Sequence, residues 1–209
     1  MKNHIYLLLL LLTMSAGSCS SVTNRDRSTP EGLAGELFEA VKSHDIERLM
    51  ETSLWHYRDS ILPCIDRSLQ TGNREYWVAQ LGLSKTAILN SDENGNRSRE
   101  VFSEIFSADG RSIKCRRLNQ PTREIPDSEL GTIPLSSLEY QDVVVKVQSS
   151  HGTNVIGGVI VVRSEKALFK LTMSAIKLCG QYYWEGFLYE ELKEISPEDY
   201  ATFKRKEPN

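Results

Sequence analysis

The chain has 209 residues, with 25 Lys+Arg against 28 Asp+Glu, a formal net charge of −3, 40% hydrophobic residues and 25% charged. That balance fits one globular unit and excludes collagen-like, coiled-coil and wholly disordered chains. It also argues against nucleic acid as a partner, since phosphate contacts call for a basic balance or stripe. The densest basic runs, Arg116-Arg117 and Lys204-Arg205-Lys206, are short and read as solvated faces.

In chain order, Lys2 supplies a short positive start and Ile5 to Leu12 an apolar run that breaks at Thr13-Met14-Ser15. A membrane-spanning helix needs about 20 apolar residues. A cleaved export signal over residues 1–18 is the better reading. The small residues that follow, Ser15-Ala16-Gly17-Ser18-Cys19-Ser20-Ser21, resemble the lipobox of bacterial lipoprotein precursors, with Ala16 where Leu is usual. The resemblance implies that Cys19 is acylated and becomes the mature N-terminus. Ala16 and Ser18 would equally suit an ordinary signal peptidase at the same bond. Ser20 is not the acidic residue of the enteric inner-membrane signal, so the resemblance implies the outer membrane of the bacterial envelope, with the membrane itself a partner through the lipid. Residues 19–29 are polar and aperiodic and read as the tether, so the single domain is expected over 30–209.

Past Cys19 the thiols are Cys64, Cys115 and Cys179, so at most one intramolecular bridge can form. Buried free cysteines are the expectation, with one disulfide as the alternative. No Cys/His spacing suits a metal, and no cofactor motif is present.

Ser28-Thr29-Pro30-Glu31 reads as a helix start, followed by a stripe at Leu33, Leu37, Phe38 and Val41. His44-Asp45 makes a corner, where Asp45 caps a short helix bearing Ile46, Leu49 and Met50. Ser53–Leu69 suggests a further helix with Pro63 as kink or boundary, ended by Gly72-Asn73. Another follows over Arg74–Leu81. Asp92–Asn96 is a turn cluster. Beyond it the period becomes two, which predicts a hairpin of Val101–Ser107 with Ser112–Leu118. A long connection spans 119–138. Strands are predicted at Tyr140–Gln148, Val155–Arg163, Lys166–Leu178 and Tyr182–Leu188, with Gly157-Gly158 as a bulge or bend. Pro197–Phe203 could hold one helical turn.

Helices first and antiparallel strands after give an α+β fold, with N-terminal helices packed on a curved, mainly antiparallel sheet. The run Leu37 to Leu49 and the closing strands Leu171 to Leu188, with Gly180-Gln181-Tyr182-Tyr183-Trp184, resemble the nuclear-transport-factor-2-like superfamily. His44 stands where that family usually has Gly. The resemblance implies a cone with an interior pocket. Enzymes on that cone set an Asp or His base among apolar walls, which makes His56, Asp59 and Asp66 the catalytic candidates. Trp55, Tyr57, Tyr182 and Trp184 are the binding candidates. In the strand Tyr182 and Trp184 share one face and Tyr183 takes the other. The favoured reading is a non-catalytic binding or assembly module that takes an envelope protein or small apolar ligand. The alternative is a small isomerase, dehydratase or hydrolase using a pocket His/Asp.

Overall fold

A computed structural model describes residues 26–82, 102–120, 126–185 and 192–205. The export signal, Cys19, the Asp92–Asn96 cluster and residues 186–188 of the last predicted strand lie outside the described residues.

Helix α1, Pro30–Lys42, starts at Thr29, whose hydroxyl accepts from the Gly32 amide, with Pro30 in the first turn, where its missing N–H costs nothing. It ends at a left-handed residue, His44, at φ 53. This is the position at which the resemblance expected Gly, and the conformation explains that preference. His44 is held there by its ring, 4.3 Å from that of Phe106. Asp45 then caps α2, Ile46–Glu51, by accepting from the Arg48 amide at 2.9 Å. Helices α3, Arg58–Ser68, and α4, Thr71–Gly82, form a hairpin. Pro63 lies inside α3, and Gly72-Asn73, expected to end a helix, lies in the first turn of α4 instead.

Seven strands follow among the described residues: β1 Ser112–Arg116, β2 Gly131–Pro134, β3 Glu139–Ser150, β4 Thr153–Ser164, β5 Ala167–Leu178, β6 Gln181–Trp184 and β7 Leu192–Ile195. The sheet order is β2-β1-β7-β5-β4-β3, with β6 also on β5, and every pair but β1–β7 is antiparallel. A final helix α5 spans Pro197–Arg205. The expected α+β architecture is therefore present, with these corrections. Residues 102–104 are a helical turn, and only Phe106 bridges to Ile113, so the predicted first hairpin shrinks to one rung. Strands β2 and β7 were not foreseen. The β3–β4 register runs unbroken past Gly157-Gly158, and its irregularity falls between Tyr140 and Asp142.

Two apolar clusters cover the two faces of this sheet. On the inner face Ile156, Ile160, Val162, Phe169, Leu171 and Met173 bury against α1 and α2. On the outer face Val155, Ile176, Leu178 and Tyr183 pack under α3 and α4 with Ile61, Ile65 and Trp77. The helices therefore lie on both sides of the sheet and not only within its curve. The expectation of buried free cysteines fails for two of the three. Cys64 of α3 and Cys179 of the β5–β6 turn form a disulfide with Cα atoms 5.9 Å apart, while Cys115 is buried and free. Helix packing brings together thiols separated by 115 residues, which spacing in the sequence had no means of indicating.

Candidate functional site

The structure divides the aromatic candidates between the two faces. Tyr182 and Trp184 are buried with the inner cluster, while Tyr183 joins the outer one, as strand alternation requires. Trp55 and Tyr57 are half-buried and pack on the outer cluster, so they do not share a cavity wall with Trp184. His56 and Asp59 are exposed, and Asp66 is an exposed partner of Arg74 at 3.4 Å. The three catalytic candidates thus sit along the solvent side of the α3 region.

Tyr57 instead serves a residue that the sequence reading had placed in the tether. Arg27 is 9% exposed. Its Nε pairs with Glu36 at 2.8 Å, its Nη2 donates to the Tyr57 hydroxyl at 2.5 Å, and its carbonyl accepts from the Tyr182 amide at 2.7 Å. Lys177 adds a bond to the Ser28 carbonyl at 3.2 Å. The chain entering the domain is therefore fastened to α1, α3 and β6 before the first helix begins.

Glu185 lies just past β6, where its amide donates to the Ser174 carbonyl at 3.2 Å and its carboxylate accepts from the Ser174 hydroxyl at 2.7 Å. Burial pushes its carboxyl above the usual range, against the lowering effect of that hydroxyl. The neighbouring Trp184 Nε1 is buried with no hydrogen-bond partner among the described residues. Burial likewise raises the Cys115 thiol, which makes it a poor nucleophile.

The outer face also carries a groove that the two helix layers leave open. Val144 of β3, Gly157 and Val159 of β4, and Phe203 of α5 line it, with Lys146 and Lys170 at its sides, and its volume is about 190 Å³. Gly157 makes the floor, since a Cβ placed there would meet nothing within 4 Å. Gly158 is different, because a Cβ there would come within 2.7 Å of the Val144 carbonyl oxygen, so close strand contact excludes other residues. The α5 wall is latched to β3 by Asp142, which accepts from the Tyr200 hydroxyl at 2.8 Å and pairs with Lys204 at 2.6 Å. Lys170 lies over the Phe203 ring at 5.9 Å. Burial would raise the Asp142 carboxyl, but the bonds from Lys204, Tyr200 and the Val143 amide together hold it below its ordinary value. The same contact, first through Asp142 and then Tyr200, lifts Lys204 to about 12.

An apolar slot with two ammonium groups at its rim suits an apolar group that carries a negative charge. The sequence offered part of this signal in the Gly157-Gly158 pair. Phe203 stood in a tail read as one helical turn, so the opposite wall was missed. No group of three or more His, Cys, Asp or Glu among the described residues could hold a metal. Comparison with known proteins returns no matching family model, no matching curated protein and no matching solved structure.

Proposed function

We propose that this protein is an exported bacterial lipoprotein, held at the outer membrane through a lipid on Cys19, whose domain is a non-catalytic binding module of the cell envelope. The observation that carries the binding role is the lysine-flanked groove between β3, β4 and α5, which fits the apolar portion of an acidic envelope protein or a small anionic apolar ligand. The Cys64–Cys179 disulfide supports export, since such bridges persist in oxidising compartments. The helices followed by a curved, mostly antiparallel sheet support a nuclear-transport-factor-2-like reading of the fold, with α3 and α4 added on the outer face. Because Arg27 is fastened down, seven residue steps separate Cys19 from Asp26, which can span no more than about 25 Å. The domain would stay close to the membrane.

The groove is tested with 8-anilinonaphthalene-1-sulfonate, an apolar probe with one negative charge. Saturable fluorescence enhancement is expected, weakened at least about tenfold by Gly157→Val, which occupies open space and so spares the fold. Equal binding by wild type and Gly157→Val sinks the binding reading. The anchor is tested by metabolic labelling with an alkyne palmitate, where label retained in Cys19→Ser would refute it.

A second reading, a small cone-fold isomerase, dehydratase or hydrolase, draws on Glu185, whose raised carboxyl beside Ser174 suits a general acid or base. Turnover of any substrate that survives Glu185→Gln would remove that support.

A further inference from the structure

Cross-strand register sorts the outer face of the sheet into rows. In one row Val155, Ile176 and Tyr183 are neighbours on β4, β5 and β6, and they pack with the residues of α3 and α4. In another, Asp142, Val161 and Lys170 run across β3, β4 and β5 beneath α5, where Asp142 bonds Tyr200 and Lys170 meets the Phe203 ring. Two rows lie between these. They are Val144, Val159 and Thr172, then Lys146, Gly157 and Ser174, and all six residues are half-buried or exposed. The groove beside α5 takes in the β3 and β4 members of both rows.

The second row does not stop at β5. Ala175 faces Trp184 in the β5–β6 ladder, and the ladder continues one residue past β6, because the Glu185 amide donates to the Ser174 carbonyl at 3.2 Å. Trp184 points into the inner cluster, so Glu185 takes the outer face. There its carboxyl accepts from the Ser174 hydroxyl at 2.7 Å. Lys146, Gly157, Ser174 and Glu185 therefore stand side by side across the sheet. Three strand spacings separate the first Cα from the last, about 14 Å.

The two ends of this row offer different chemistry. Lys146 is exposed and has no ion pair among the described residues, so it presents a full positive charge. Glu185 is half-buried, and burial favours its neutral carboxyl. Ser174 donates to one carboxyl oxygen, which leaves the other to meet a ligand, since the carboxyl has no further partner among the described residues. Between the ends, Gly157 keeps the floor clear, because a Cβ there would meet nothing within 4 Å. Val144 and Val159 run alongside as an apolar flank.

We infer that the groove extends across β5 to Glu185 and selects an elongated apolar acid, with the carboxylate at Lys146 and a neutral hydroxyl or amide at the far end held by Glu185 and Ser174. This rests on the reading of the groove as a binding site and adds which ligand it takes. A hydroxyl both accepts and donates, so it pairs with Glu185 in either protonation state. A methyl end would leave the Glu185 and Ser174 groups facing hydrocarbon, with their bonds to water lost and not replaced. A second carboxylate would press a like charge on Glu185.

The test is competition with 8-anilinonaphthalene-1-sulfonate by three acids of one chain length: 12-hydroxydodecanoate, dodecanoate and dodecanedioate. The protein is exported as Cys19→Ser, so that no acyl chain of its own can enter the groove. The hydroxy acid is expected to bind at least about fivefold more tightly than dodecanoate, since a site built to bond a hydroxyl rejects the analogue lacking it, with dodecanedioate weakest. A merely apolar groove would prefer dodecanoate, and one that only collects negative charge would prefer dodecanedioate. Either order in the wild type overturns the inference. Glu185→Leu should bring dodecanoate level with the hydroxy acid or ahead of it, while Glu185→Gln, which still donates and accepts, should keep the original order. If Glu185→Leu fails to fold, Ser174→Ala decides, and it should narrow the preference. A preference unchanged by Glu185→Leu, or by Ser174→Ala in its place, also overturns the inference. In all these cases probe binding that is lost in Gly157→Val leaves the groove itself standing. Equal probe binding by wild type and Gly157→Val removes the groove, and this inference with it.

Discussion

The two faces of the sheet are covered by different means. The inner face is one continuous apolar layer in which Phe169, Leu171 and Ala175 of β5 meet Leu33, Leu37 and Met50 of α1 and α2, all nearly inaccessible. The outer face is covered in pieces. The α3–α4 hairpin takes one end, held by Tyr183, Ile176 and the Cys64–Cys179 bond, and α5 takes the middle, held by Asp142. Continuous burial leaves no gap and needs no specific bond, whereas short elements need individual fastenings and leave a slot beside α5. The candidate site occupies that slot.

Breaking the fastening of α3–α4 should have the largest effect. A bridge that closes a loop of 115 residues restricts the unfolded chain strongly, and its loss is expected to lower stability by about 4 kcal/mol. Urea unfolding of the Cys64→Ser/Cys179→Ser double variant measures this. Native-state amide exchange sharpens the contrast, because α3 and α4 should open well before the strands of the inner face. Uniform opening would mean that the two faces form a single cooperative unit.

Next in size is a cavity in the inner layer. Leu171→Ala removes a side chain that is 1% exposed and should cost about 3 kcal/mol, whereas Val159→Ala, at the half-buried groove wall, should cost under about 1 kcal/mol. Chemical denaturation of both variants checks the ratio, and comparable losses would contradict the division of the faces.

How legible each face was in the sequence follows from how it is built. The inner face rests on periodicity. The stripe Leu33, Leu37, Phe38, Val41 and the alternation from Val155 through Leu178 give α1, β4 and β5 nearly to the residue. The outer face rests on contacts distant in sequence. Nothing in the order of residues joins Cys64 to Cys179, Tyr200 to Asp142 or Arg27 to Tyr57. Strands β2 and β7 escaped for a related reason. At four residues each, they are too short to display a period, and their pairing with β1 and β5 defines them. The candidate site had the same fate. Gly157 was noticeable as a glycine in a strand, but its meaning as a groove floor depends on Phe203, a residue that only the packing of α5 brings opposite it. His56, Asp59 and Asp66 drew attention by residue type, and the turn before α3 and α3 itself leave them exposed to solvent.

The smallest effect expected concerns the α5 fastening, and its sign is set by protonation. The Asp142 carboxyl is held below its ordinary 3.8 in the folded protein, so it contributes stability that is present above that value and is lost as pH falls through the lower folded one. Lys204 is raised from 10.5 to about 12, so its contribution is present below 10.5 and is lost as pH rises through about 12. The latch is therefore intact across the neutral range and released at both extremes, with acid the accessible side. Because Lys204 is 55% exposed, solvent screens the pair, and the change in Tm should be roughly 2 °C or less. The local readout is clearer. Amide exchange in α5 should quicken as pH falls below 3.8, ahead of any change in β4 or β5, and probe affinity for the groove should fall with it. Asp142→Asn should give the acid behaviour already at pH 7 and flatten its dependence on pH. If α5 exchange in that variant matched wild type at pH 7, the wall of the groove would be held by Phe203 packing and not by the carboxylate. The outer face would then differ from the inner in extent alone, not in kind.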